Sequence, residues 1–213
     1  MKLQFYLRFH TEFGQSLWIS GNIAELGNDN PAKAVQMEYL DSEFWTLSLE
    51  ADRKLVKKGI RYNYFLKDRG GEIIREWGHD RLIAINRKDL AEIELVDTWN
   101  HAGEYENAFF SAPFSQVLLK QAGGKLRKSQ TTASTHIFRI KAPLLKKHEA
   151  VFLTGSSPAL SNWSTTEPIL LSREGDWWTA RLSLTENDFP LAYKYGVFNT
   201  RDNQYVTYET GDN

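Results

Sequence analysis

Alternation of apolar and polar positions dominates the chain. "KLQFYLRFH" from Lys2, "SLWISG" from Ser16, "FWTLSLEA" from Phe44, "IRYNYFLKD" from Ile60 and "LAEIELVD" from Leu90 are short runs of period two, rich in Phe, Tyr, Trp, Ile and Val. Such runs put one face of a strand into a core and the other into solvent. Between them stand "TEFGQ", "GNDNPAK" and "DRGGE", clusters of residues that favour turns. No segment keeps an apolar period of 3.6 residues over three turns with caps at its ends. Many short strands spaced by roughly ten residues predict an all-β fold, an antiparallel β-sandwich of the immunoglobulin-like kind.

The series is written twice. Gly21 and Gly155, Leu26 and Leu160, and Asn28 and Asn162 each stand 134 residues apart. Trp45 and Trp178 differ by 133, "YNY" at Tyr62 and "YKY" at Tyr193 by 131, and "EWGHD" from Glu76 and "ETGDN" from Glu209 by 133. Order and spacing held through five landmarks identify an internal repeat with small loop changes. The chain therefore divides into a first sandwich over 1–98, an intervening segment over 99–134 and a second sandwich over 135–213. The intervening segment opens with Trp99, Tyr105, Phe109, Phe110 and Phe114, which predicts packing on the first copy. It closes with "KQAGGKLRKSQTTAST" from Lys120, which reads as a flexible tether with solvated basic residues.

A net charge of -1 over 213 residues gives nothing to attract a nucleic acid. No apolar run approaches the ~20 residues that cross a bilayer, and the start lacks the continuous apolar stretch of a signal peptide. With no cysteine there is neither a disulfide nor a thiolate metal site, and we expect a cytoplasmic protein. The five histidines, at 10, 79, 101, 136 and 148, are not set with carboxylates at ligand spacing. G-x-S-x-G, H-E-x-x-H and a Gly-rich phosphate loop are all missing. The reading is of a binding protein that needs no cofactor. Seven Trp and nine Tyr are many for this length, and several lie beside turns.

In the second copy "FRIKAP", "VFLTGSSPALSNW", "WWTARLSL", "LAYKY" and "TYETGDN" follow in order. This set resembles the starch-binding domain of carbohydrate-binding module family 20, over almost all of Thr135 to Asn213 and more loosely from Met1 to about Asp97. The bridge "LVDTWNHAGEYENAFFSAPFSQVLL" is similar to the segment between two such modules in the disproportionating-enzyme type of 4-α-glucanotransferase. In that family a long catalytic barrel follows the modules. The resemblance implies that the chain is the binding part of a glucanotransferase and catalyses nothing itself. Its partners would be an α-1,4-glucan or maltooligosaccharide and a C-terminal barrel, with a dimer left open.

The resemblance also implies a site. Trp163 in the turn, Lys194 in the "YKY" strand, and Tyr208, Glu209 and Asn213 in the last turn match the family's binding positions, with Tyr208 where Trp is usual. Without the family pattern, Lys194 reads equally well as the solvent-facing member of its strand. In the first copy those positions hold Asp29, Asn63, Arg75, Glu76 and Asp80, so both aromatic plates and the lysine are lost. A second family site lies near the strand tryptophan, which points to Tyr39 and Trp45 in the first copy, although Trp45 and Trp178 also read as core. Two other roles stay open: a regulatory module like those of glycogen-associated kinase subunits, and dimerisation without sugar binding. The chain stops one residue before the Arg that completes the family's last turn, and no closing strand follows. We therefore expect a piece of a longer protein, with one sheet edge of the second copy open.

Overall fold

The structure is a computed structural model that describes residues 1–78, 80–103, 105–110 and 134–210, without the side chains of residues 105, 106 and 110. Phe114, the tether as far as residue 133, and Asn213 lie outside the described residues. The chain divides into two compact units, Met1–Asn107 and Ala108–Asn213.

The first unit holds β1 (Lys2–Arg8), β2 (Ser16–Gly21), β3 (Val35–Gln36), β4 (Glu38–Tyr39), β5 (Phe44–Glu50), α1 (Arg53–Lys58), β6 (Ile60–Lys67), β7 (Ile73–Arg75), β8 (Arg81–Ile83) and β9 (Glu92–Thr98). One sheet has the order β4-β5-β1-β9. The other has the order β3-β2-β6-β7, with β8 also pairing β6. Period-two alternation decides which residues meet between them. Leu3, Phe5 and Leu7 of β1 face Leu17 and Ile19 of β2 and Tyr62, Tyr64 and Leu66 of β6 in one buried cluster. Trp99 joins that cluster, with its ring 5.1 Å from Phe9, so the start of the intervening segment packs on the first unit. Two features depart from a purely antiparallel all-β pattern. β9 runs parallel to β1, and α1 is a short helix whose start is capped by the Asp52 carboxylate accepting from the Lys54 amide at 2.8 Å. Six residues are too few to show a helical period in sequence.

The second unit holds β10 (His136–Ile140), β11 (Glu149–Gly155), β12 (Ile169–Leu170), β13 (Ser172–Glu174), β14 (Trp177–Leu182), β15 (Tyr193–Asn199) and β16 (Gln204–Tyr208). Its sheets run β10-β14-β13 and β12-β11-β15-β16. Phe138, Val151, Leu153, Leu160, Leu171, Ala180 and Leu184 form its core. The repeat read from sequence holds in the strand register. β2 and β6 pair Ser20 with Asn63 and Gly21 with Tyr62, and β11 and β15 pair Thr154 with Lys194 and Gly155 with Tyr193. β1 has β9 on its far side, whereas among the described residues β10 pairs with β14 alone. No described helix is long and apolar enough to cross a membrane.

Candidate functional site

The site begins where β11 ends. At Gly155 a Cβ would lie 2.5 Å from the Ala192 carbonyl oxygen and from Leu160 Cδ1, so only glycine fits. The chain then folds back through a short 3₁₀ segment, Pro158–Trp163, anchored by the fully buried Leu160. Three hydrogen bonds set this turn. The Ser156 amide donates to Ala192 O at 2.8 Å, the Asn162 amide to Ser157 O at 3.1 Å, and the Thr154 hydroxyl to Leu160 O at 3.3 Å. All three recur in the first unit, from Asn22 to Arg61, from Asn28 to Ile23 and from Ser20 to Leu26.

The backbone of the turn is left-handed in both units, with φ of 53° and 58° at Asn28 and Asp29, and 45° and 63° at Asn162 and Trp163. Asn and Asp adopt this region with little penalty, but a bulky residue is strained there by on the order of 1–2 kcal/mol. The buried leucine and the hydrogen bonds hold the second turn in shape regardless. The result is an indole that stands out of the surface, 37% exposed, in a position its own backbone disfavours. Residues held in such strain cluster at functional sites, which makes Trp163 a candidate.

Beside the turn, alternation sorts the strand residues. Val151, Leu153 and Tyr195 pack on the core, so Phe152, Thr154, Lys194, Gly196 and Phe198 belong to the outer face. Across that face the rows run Thr154 with Lys194, then Phe152 with Gly196 and Tyr208, then Phe198 with Tyr205. Phe152 is fully buried although it points outward, because the rings of Tyr208, Phe198 and Tyr205 close over it at 5.6, 6.2 and 6.2 Å. Gly196 makes the room. A Cβ there would come within 2.6 Å of both Phe152 Cζ and the Thr207 carbonyl oxygen. Burial, and then the neighbouring Tyr205, push the Tyr208 phenol above the usual tyrosine range. Glu209 is exposed at the strand end. Its amide donates to Tyr195 O at 3.0 Å, and its Oε1 accepts from the Tyr195 amide at 2.9 Å. Lys194 lies beside Thr154, and Tyr208 and Glu209 lie across from Gly196 and Tyr195 on the neighbouring strand.

The family profile described as the starch binding domain matches residues 1–92 and 134–213. The chain belongs to the starch-binding domain family. A 4-alpha-glucanotransferase, DPE2, from Oryza sativa subsp. japonica is 28% identical over 211 residues, covering 91% of this chain. The chain spans 22% of the length of that relative. Among solved structures, a glycoside hydrolase family 15 glucoamylase from Hypocrea jecorina is 25% identical over 47% of this chain and 17% of its own, with a TM-score of 0.38. The family 20 module of a maltotetraose-forming amylase from Pseudomonas saccharophila STB07 is 15% identical over 46% of this chain and all of its own, with a TM-score of 0.37.

The two starch-binding domains differ sharply at the site. In the first, every counterpart position is joined to a charged or polar neighbour. Arg61 Nη2 lies 3.4 Å from Asp29 Oδ2, and Arg75 donates to Asn63 Oδ1 at 3.0 Å and to Asp80 at 2.6 Å. Glu76, only 4% exposed, is clasped by Arg81 and accepts from the Asn100 amide at 3.0 Å. Arg81 also reaches Asp97 at 2.9 Å, and the Asp97 carboxylate accepts from the Tyr62 and Tyr64 hydroxyls at 2.8 Å each. Burial, with the Asp97 charge second, pushes both phenols well above their usual range. The carboxylate shared by the two domains is spent on structure in the first and lies at the surface in the second.

For the second surface suggested by the family pattern, Trp45 lies in the first core at 6% exposure, its indole N–H donating to Thr11 Oγ1 at 3.3 Å. Tyr39 stands edge-on to it at 5.6 Å and is 60% exposed, so the tyrosine alone presents a ring to solvent. Trp177, Phe189, Tyr193 and Tyr205 of the second domain are exposed aromatics that the sequence did not assign to a site, and two of them have neighbours that matter here. Trp177, next to the half-buried Trp178, carries the Lys141 ammonium 4.9 Å above its ring. Tyr205 is the other. Alternation along β14 would have found the first, but nothing local identifies the second.

Proposed function

We propose that the second domain binds α-glucan across Trp163 and Tyr208, with Lys194, Glu209 and Asn213 hydrogen-bonding the sugar hydroxyls. The observation that carries this reading is the strained, exposed Trp163 at the position where the first domain has Asp29. A glucosyl ring has faces rich in C–H and a polar rim. An indole in a turn covers such a face without closing a pocket, and a tilted second ring suits a polymer whose successive rings are not coplanar. Charged partners make the stronger hydrogen bonds to the rim. Covering one sugar face contributes on the order of 1–2 kcal/mol. After the cost of association, a Kd of about tens of micromolar, roughly -6 kcal/mol, is expected. Weak binding of this kind suits a protein that moves along a polymer.

The first domain, in this reading, has lost that site and retains at most a contact through Tyr39 beside Trp45. The three-part division into 1–98, 99–134 and 135–213 serves to hold two modules in tandem ahead of a C-terminal catalytic barrel. The whole protein would be a cytoplasmic 4-α-glucanotransferase that moves α-1,4-glucan segments with retention, using a carboxylate pair outside this chain. The similarity to the rice relative supports it.

Electrophoresis of the chain in native gels containing soluble amylopectin or glycogen tests the reading, with Trp163→Ala alongside. Slower migration that the substitution abolishes is the expected result. Retardation that survives it would move binding to another surface, such as Tyr39. No retardation of a chain with native near-UV circular dichroism would end the proposal and leave a structural, dimer-forming role.

A further inference from the structure

The aromatic surface of the second domain does not stop at Tyr208. Tyr205 and Tyr208 are three residues apart, and in a regular strand they would point to opposite faces. They do not, because the β15–β16 ladder shifts register: Val197 pairs with Thr207, but Phe198 pairs with Tyr205, leaving Val206 as an extra residue. A bulge of this kind re-aims a side chain. Here it brings the two rings onto one face with centroids 4.8 Å apart and a tilt of 45°. Tyr205 is 41% exposed, so it serves as more than a cover for Phe152. In the first domain the corresponding ladder is unbroken, Phe65 pairing with Arg75 and Lys67 with Ile73, and neither partner of the pair on β7 is aromatic.

We propose that Tyr205 forms an additional subsite, continuous with Tyr208, that takes a further glucosyl unit of an α-1,4-glucan on the side of the site away from Trp163. The inference rests on the glucan site proposed for Trp163 and Tyr208 and deepens it by assigning a chain-length preference. A ligand long enough to pass beyond Tyr208 meets a second tilted phenol ring one cross-strand row along the sheet. A short ligand that fills only the Trp163–Tyr208 surface never reaches it. Substitution at Tyr205 therefore acts selectively on long ligands, which mere support of Tyr208 would not do.

The test is calorimetric titration of the full chain with maltotriose and maltoheptaose, comparing the native protein with Tyr205→Leu and Tyr205→Phe. Leucine keeps an apolar cover over Phe152 and removes the flat ring, whereas phenylalanine keeps both. The expected result is that Tyr205→Leu loses about fivefold to thirtyfold in affinity for maltoheptaose, the worth of one covered aromatic face, with maltotriose binding unchanged. Tyr205→Phe should retain the long-chain advantage. Equal losses on both ligands would make Tyr205 a support for Tyr208 and overturn the subsite, as would no loss on either. A native chain that binds neither sugar while folded would fail the glucan reading itself, and that outcome is distinguishable because it does not depend on the variants.

Discussion

Replacing Arg81 by methionine is the sharpest test of how the first domain uses its residues. The guanidinium sits between two carboxylates whose side chains are 3% and 16% exposed, Glu76 and Asp97, and it also donates to Thr98 O at 2.7 Å. The neighbouring carboxylates hold it firmly cationic, against the opposing effect of burial. Methionine fills much of the same space and cannot neutralise either acid. Asp97 would keep its two tyrosine donors and Glu76 the Asn100 amide, but a buried Glu76 and a half-buried Asp97 would be left without a cation. Removing one partner of such a cluster costs about 3–5 kcal/mol, against about 0–1 kcal/mol for an exposed pair. With about 2.1 cal/mol/K of unfolding entropy per residue over Met1–Asn107, the loss corresponds to roughly 13–22 °C in melting temperature. Differential scanning calorimetry of the whole chain reads it, since the two units have separate cores and only the first should shift. Arg87→Met is the control. It removes the partner of Asp89, which is 65% exposed, and should move the transition by less than about 4 °C. If Arg81→Met did no more than the control, Glu76 would be hydrated rather than locked in the fold. Glu76 and Glu209 would then not differ in how their domains use them.

Other outcomes follow from the second domain. Gly196→Ala should push the Phe152 ring against Tyr208, cost about 1–3 kcal/mol through overpacking, and weaken gel retardation by glycogen. Adding Phe152→Leu should restore part of both, and strict additivity of the two changes would argue that the added methyl does not press on the Phe152 ring. Acid should act on the Glu174–Arg181 pair. The hydrogen-bonded guanidinium holds the Glu174 carboxyl below its usual 4.5, so its stabilisation is present above that pH and lost as the pH falls through the lower, folded value. Melting temperature followed from pH 6 downward should therefore decline less steeply below about 4.5 in Arg181→Met than in the native chain, and parallel curves would refute the assignment.

Much of this protein is legible along the chain. Period-two alternation sets which strand residues reach the core, because a strand's side chains change face at every step, whatever lies around them. The repeat could be read because both copies solve the same local problem. Gly21 and Gly155 each meet a leucine and a carbonyl that exclude a side chain, and Asn28 and Asn162 each take the left-handed turn. Trp163 was visible for the same reason, as a bulky residue written where its copy has a turn-forming Asp29.

What sequence could not decide lies across strands or far along the chain. Trp45 and Trp177 both sit in aromatic pairs at the start of a strand, but one is buried and the other exposed, and only packing against Thr11 and the first core separates them. Glu76 and Glu209 occupy the same place in the repeat, yet Arg81, Asp97 and Asn100 decide that the first is consumed internally. Tyr205 joins Tyr208 because of a single extra residue in the ladder, which reverses the face that alternation assigns. The sequence by itself determined the two sandwiches, their repeat and the turn that presents Trp163, since these follow from periodicity and local backbone preference. Which carboxylates and aromatic rings are left facing solvent was decided only by the tertiary structure, because exposure depends on neighbours brought together from distant strands.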